Sequence, residues 1–321
     1  LEMRRVLAAF SVTTMADVVD ANDSVTSLRE AIVSANDSIG PDSITFDVSV
    51  FSAGAKIDLL LGQLDVTESV TITGPSAHPL TIDAQGDSRV IGFFASAGDL
   101  TLEDLTIRGG RTTDDDVSSS QSGGAIRFAS AGTLTLNRAT VIDNRTTGSE
   151  ARGGAIFAEP GDVVLNQSLV SRNSTEGVSA HGGGVFASAG DVSLVDSEVS
   201  ENATMQDSAD GGGLATANGQ VTLLRSSVTG NSTLGSAADG GGIFSVGGVS
   251  LDASVVAENS TAGQDADGGG VFANGSFSLL GSDVSGNFTE GRFAAGGAIA
   301  TESADVMIEN SSITNNRTTG E

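Results

Sequence analysis

Three carboxylates recur at one place in a repeating sequence. Asp210, Asp239 and Asp267 each stand directly before a run of glycines, in DGGGLATANGQVTLLRSSVTGNSTLGSAA, then DGGGIFSVGGVSLDASVVAENSTAGQDA, then DGGGVF. A unit that returns nearly in register after 28 or 29 residues marks a solenoid, in which each unit buries its apolar face against the next. Stacked as neighbouring strands about 4.8 Å apart, such carboxylates would repel by roughly 1 kcal/mol per pair in water and ~3.5 kcal/mol at an effective dielectric of 20. A hard cation with oxygen ligands would remove that cost, so Ca²⁺ along Asp210, Asp239 and Asp267 is the first chemistry to consider. The spacing lacks the tandem nonapeptide motif of calcium-binding β-rolls, and carboxylates splayed into water are the plainer reading. Upstream the same column reads Ser122, Arg152, His181, and it ends at Ala295. Asp114, Asp115 and Asp116 form a weaker candidate for a cation, as do Asp17, Asp20 and Asp23, since charge runs are usually hydrated loops.

Other chemistries find less support. Glycoside hydrolysis needs two carboxylates about 5 to 9.5 Å apart, and a chain this rich in acids meets that by chance somewhere. There is no Trp or Tyr to form a sugar platform. His78 beside Pro79, and His181 in its column, read as turn residues. The GGG runs have no basic partner and are better explained by tight packing than by phosphate binding. No catalytic residue is therefore assigned. A polysaccharide lyase or hydrolase, or a glycan- or ice-binding face built on Thr columns, stands as the alternative to a structural role.

The elements that would position these residues follow from the period. Asn144, Asn173, Asn202, Asn231, Asn259, Asn287 and Asn316 mark one rung each, spaced 29, 29, 29, 28, 28 and 29. Three residues before each Asn lies Val or Ile (Val141 to Ile313), and eight before it Leu or Ile (Leu136 to Ile308). A further apolar residue sits ten before, so the segment alternates like a strand with one face inward. A second apolar strand begins after the glycines, at Ile126, Ile156, Val185, Leu214, Ile243, Val271 and Ile299. Two or three short strands per unit, closed by glycine turns, predict an all-β, right-handed parallel β-helix. Equivalent residues then form columns. The Asn column is expected to chain its amides from coil to coil, with Ser168, Ser197, Ser226, Ser254, Ser282 and Ser311 five residues earlier and a Thr two residues later. Because Asn and Thr share the structural period, Asn-x-Ser/Thr reads as a ladder and not as a glycosylation signal.

The 321 residues divide into a strand and capping helix (1–41), irregular short first coils (42–98) and regular coils (99–321) open at the C-terminal end. From Thr146 onward the loop between Thr and the glycines has six residues in each unit, so one side of the rod carries equal loops. The chain stops mid-repeat after Asn316, which predicts either a longer protein or an assembly surface, with head-to-tail or lateral self-association. The 41 acids outnumber the 15 bases, giving −26, and Lys56 is the one lysine. Such a surface repels nucleic acid and anionic lipid. No apolar run reaches the length of about 18 residues needed to span a bilayer. There is no cysteine, hence no disulfide framework.

Ahead of the coils, Ser27-Leu28-Arg29-Glu30 fits a capping box, and Leu28, Ala31, Ile32 and Ala35 give one apolar helix face. Gly40-Pro41 ends the helix, which serves as a lid over the first rung. The segment Val12 to Asp47 (VTTMADVVDANDSVTSLREAIVSANDSIGPDSITFD) resembles the CSLREAI-type start of bacterial exported β-helix proteins, with Thr26 in place of the cysteine and Ser27 to Ile32 matching fully. LEMRRVLAA resembles the LEPR-XLL signature that opens large bacterial surface proteins. The resemblance implies a secreted or cell-surface repeat protein, with other surface proteins or glycans as partners, and implies no catalytic residues.

Overall fold

The computed structural model describes residues 7–20, 22–77, 79–113, 121–302 and 305–320. One coil shows how the sequence makes the fold. Ile156–Ala158, Asp162–Asn166, Leu169–Ser171 and Ser174–Thr175 are four short strands in succession, and each pairs in parallel with its counterpart 29 residues later. The four positions build four stacks, of nine, eleven, ten and eight strands in that order, among the described residues. The chain is therefore an all-β parallel β-helix. Two or three strands per coil were expected; the fourth, at Ser174–Thr175 and its equivalents, is two residues long and too short to show an alternation.

Inward positions fill the interior. Leu134, Leu136, Val163, Leu165, Val192 and Leu194 line the second stack without exposure, and Val141, Val170 and Val199 line the third. Full burial of such side chains is worth about 1.5–3 kcal/mol each. The core is one continuous cluster from Val12 to Val284.

The turns depend on left-handed backbone at fixed corners. Gly211 has φ 68°, and a Cβ on its neighbour Gly212 would lie 2.3 Å from the carbonyl oxygen of Gly241 in the next coil. A side chain there would force the coils apart, so the glycine runs meet a packing demand.

The cap helix spans Leu28–Asn36, with its capping box formed by Ser27 and Glu30 and with Leu28, Ala31, Ile32 and Ala35 buried. It packs on strands Ala9–Val12, Asp42–Phe46 and Leu64–Val66. Asp17 locks it down, accepting from Arg29 at 2.8 and 3.0 Å and from the amides of Leu60 and Leu61 at 2.8 and 2.9 Å. Burial alone would raise the Asp17 pKa, but Arg29 and the two amides overcome it and hold the carboxyl below its usual range. In the last coil Val306, Met307, Ile308 and Ile313 are exposed. No helix among the described residues is long and apolar enough to cross a membrane.

Candidate functional site

Most of the polar side chains singled out by the repeat are bonded along the rod. Asn144, Asn173, Asn202, Asn231, Asn259, Asn287 and Asn316 lie in successive coils. In each step the backbone N–H and the side-chain Nδ2 both donate to Oδ1 of the next Asn, at 2.8–3.0 Å. Nδ2 of Asn202 also donates to the Val170 carbonyl at 3.0 Å, tying the corner to the coil before it. Gly110 takes the Asn position one coil before Asn144, and its N–H donates to Asn144 Oδ1 at 2.7 Å. At the corner between the second and third stacks serine does the same work. The amides of Ser168, Ser197, Ser226, Ser254 and Ser282 donate to Oγ of the next serine at 2.9–3.1 Å.

The Thr column does not form an outward face. Thr146, Thr175, Thr204, Thr233 and Thr261 are fully buried. Their hydroxyls donate to carbonyls five residues on, at 2.6 Å to Ala151, Ala180 and Ala238, at 2.8 Å to Ala266, and likewise from Thr204 to Ala209. The six-residue loop must be closed from inside, so the hydroxyl is turned away from solvent. A glycan- or ice-binding rank of Thr is thereby removed.

The pre-glycine column runs outside the first stack. The N–H of Asp239 donates to Asp210 Oδ1 at 2.9 Å, that of Asp267 to Asp239 Oδ1 at 2.7 Å, and that of Ala295 to Asp267 Oδ1 at 2.6 Å. These carboxylates are brought into adjacent coils but do not converge. Among the described residues no three His, Cys, Asp or Glu side chains gather as a metal's ligand set. Asp239, in the middle, is pushed up to about 7, by burial first and by the charges of Asp210, Asp267 and Glu302, against the lowering effect of the Asp267 amide. Asp114, Asp115, Asp116 and His78 lie outside the described residues.

His181 does more than turn the chain. Its Nδ1 lies 3.1 Å from the N–H of Asp210 and 3.2 Å from Oδ2 of the same residue. It accepts from the amide and lies against the carboxylate. Its ring lies 5.9 Å from Phe186 and 6.5 Å from Phe244, both stacked. The small Ala215 separates Phe186 from Phe244 in the outward column of the first stack, and the imidazole occupies the gap. Phe157 and Phe186 stack at 5.9 Å, and Phe244 and Phe272 at 5.5 Å. Although these rings face outward, Phe157, Phe186 and Phe272 are at most 5% exposed. Arg152 sits 5.1 Å above the Phe186 ring. Sequence reasoning passed over this aromatic column; its signal is a Phe one residue after Ile156, Val185, Ile243 and Val271.

A separate concavity lies at the corner between the third and fourth stacks. A cleft of about 580 Å³ is rimmed by Arg108, Arg111, Arg145 and Arg172, with Asp83 and Asp143. Arg108 pairs with Asp83 at 2.8 Å, and Arg172 with Asp143 at 2.9 Å. A neighbouring cleft of about 420 Å³ shares Arg111 and adds Arg89, Arg127 and Phe94. Arg89 is structural: it donates to the Gly123 and Ser122 carbonyls and to Gln63, and burial, with the charge of Arg127, holds its pKa down to about 10.

No family model and no curated protein matches the chain. Among solved structures it is similar to the crystal structure of pectate lyase Pel9A, at a TM-score of 0.51 and 13% identity, over 95% of this chain and 80% of that one. At that identity the likeness is one of fold, the parallel β-helix.

Proposed function

We propose that this chain is a non-catalytic extracellular scaffold, a stiff stalk or filament-forming segment of a bacterial surface protein that holds acidic loops at regular spacing along a rod. The observation that carries this reading is the use made of polar side chains: Asn, Ser and Asp columns spend their donors and acceptors on the coil above or below. Bonds of that kind resist bending and separation of coils, which is what a load-bearing rod requires. The match of Ser27–Ile32 to the exported β-helix start supports the location. Self-association belongs to the same reading, with light scattering in calcium and high salt as its check; a monomer under every condition removes it.

A polysaccharide-active role is the second reading, favoured by the likeness of the fold to a pectate lyase. Incubation with neutral and acidic polysaccharides, with and without calcium, separates the two. The scaffold reading expects no unsaturated product and no new reducing ends. Turnover by the purified chain would overturn it.

A further inference from the structure

We propose that the cleft rimmed by Arg108, Arg111, Arg145 and Arg172 is a docking site for the carboxylates of an acidic polysaccharide. It lies where Gly109 has no side chain and the next coils carry Asp143 and Arg172 at that place. Two of the four guanidiniums are already paired with Asp83 and Asp143. The other two are held less closely. Arg111 makes no ion pair among the described residues, and its buried Nε has no hydrogen-bond partner. Arg145 is no closer than 3.7 Å to Glu176.

Arg111 and Arg145 are register partners on adjacent two-residue strands, with Thr112 and Thr146 buried beside them, so both arginines leave the rod on the same side. Their chains run about 4.8 Å apart, a spacing at which like charges repel. An oxyanion bridging the two would relieve that repulsion, and the planar fork of arginine suits a carboxylate.

Two further features favour a sugar polymer over a bare ion. The cleft continues past Arg111 to Phe94, which is 39% exposed, with Arg127 lying 5.6 Å over its ring. Phe94 also borders a third cleft, of about 460 Å³. An aromatic face attracts the C–H face of a pyranose ring, while the arginines take its carboxylates. The local charge is less adverse to such a ligand than elsewhere: residues 83–172 hold eight arginines against twelve acids, a net of −4, whereas residues 173–321 hold three against eighteen, a net of −15. This site does not depend on whether the rod is catalytically silent.

Calorimetry with the whole chain at low salt tests the assignment, using an oligomannuronate, a neutral cello-oligosaccharide, inorganic sulfate and a single-stranded oligonucleotide. The expected result is saturable binding of the uronate alone, weakened about tenfold or more in Arg111→Gln/Arg145→Gln and unchanged in Arg138→Gln/Arg225→Gln. Arg145 is exposed, so Arg145→Gln alone gives a folded variant in which weakening is still expected. No uronate binding, equal binding by either Arg111/Arg145 variant, or binding of sulfate or the oligonucleotide as tight as the uronate would each overturn it.

Discussion

Residues 89–172 and residues 173–321 are wound on the same frame and wear different surfaces. The inner columns do not distinguish them: Asn144 in the first and Asn202 in the second each donate from the amide and from Nδ2 to Oδ1 of the Asn after it. The outer columns do. Along the pre-glycine position the chain passes from Ser122 and Arg152 through His181 to Asp210, Asp239 and Asp267. The amide of the following coil is accepted by Ser122 Oγ, by His181 Nδ1 and by Asp Oδ1 in turn. Stacking uses an acceptor at that place where one stands, tolerates Arg152 without one, and is indifferent to the charge. The frame is thus set from inside, and the sign of the surface is left to be decided by what the rod meets.

That contrast can be broken at the inner columns first. Asn173→Ala orphans the buried amide and one Nδ2 hydrogen of Asn144, in the first region, and Asn231→Ala those of Asn202, in the second; each also removes the donor to the next coil. About 3 kcal/mol or more is expected for each, as a drop in the urea midpoint. If the inner frame is common to both regions, the two losses match; a much smaller loss in either region would show that the frame is not shared.

A smaller effect should separate the regions. Asp239 holds its proton up to about 7, against an ordinary value of 3.8. Between those values the unfolded carboxyl ionises while the folded one does not, so the site's contribution to stability falls as pH rises from about 4 to about 7 and is level above. Asp239→Asn keeps an acceptor for the Asp267 amide and removes the charge. Thermal melts should show no gain at pH 4 and a gain of about 1–2 kcal/mol at pH 8, short of the full shift because solvent still reaches the carboxyl. An equal effect at both pH values would mean that the acidic coils carry no such strain.

How far the molecule could be read beforehand depended on length and repetition. The 28- to 29-residue period, the Asn rungs and the capping box at Ser27–Glu30 were legible because each is a long or repeated pattern. The fourth stack was not, since strands such as Ser174–Thr175 are too short to alternate. The Thr residues were visible as a column, but their direction was hidden, because only the closed loop shows that Thr175 donates inward to Ala180. The arginine cleft was masked differently. Arg111 and Arg145 both follow the rung position, but 34 residues apart, because the longer loop after Thr113 breaks the period between them.

The claim on which all this rests is that side chains of successive coils bind one another through the ladder. The amide of Asn202 reports on it most directly, since it donates to Oδ1 of Asn231 at 3.0 Å. Hydrogen exchange resolved at that amide should be slow in the unaltered protein. In Asn231→Ala it should become fast while the strand amides on either side stay protected. Fast exchange at Asn202 before any substitution, or undiminished protection after it, would contradict the account.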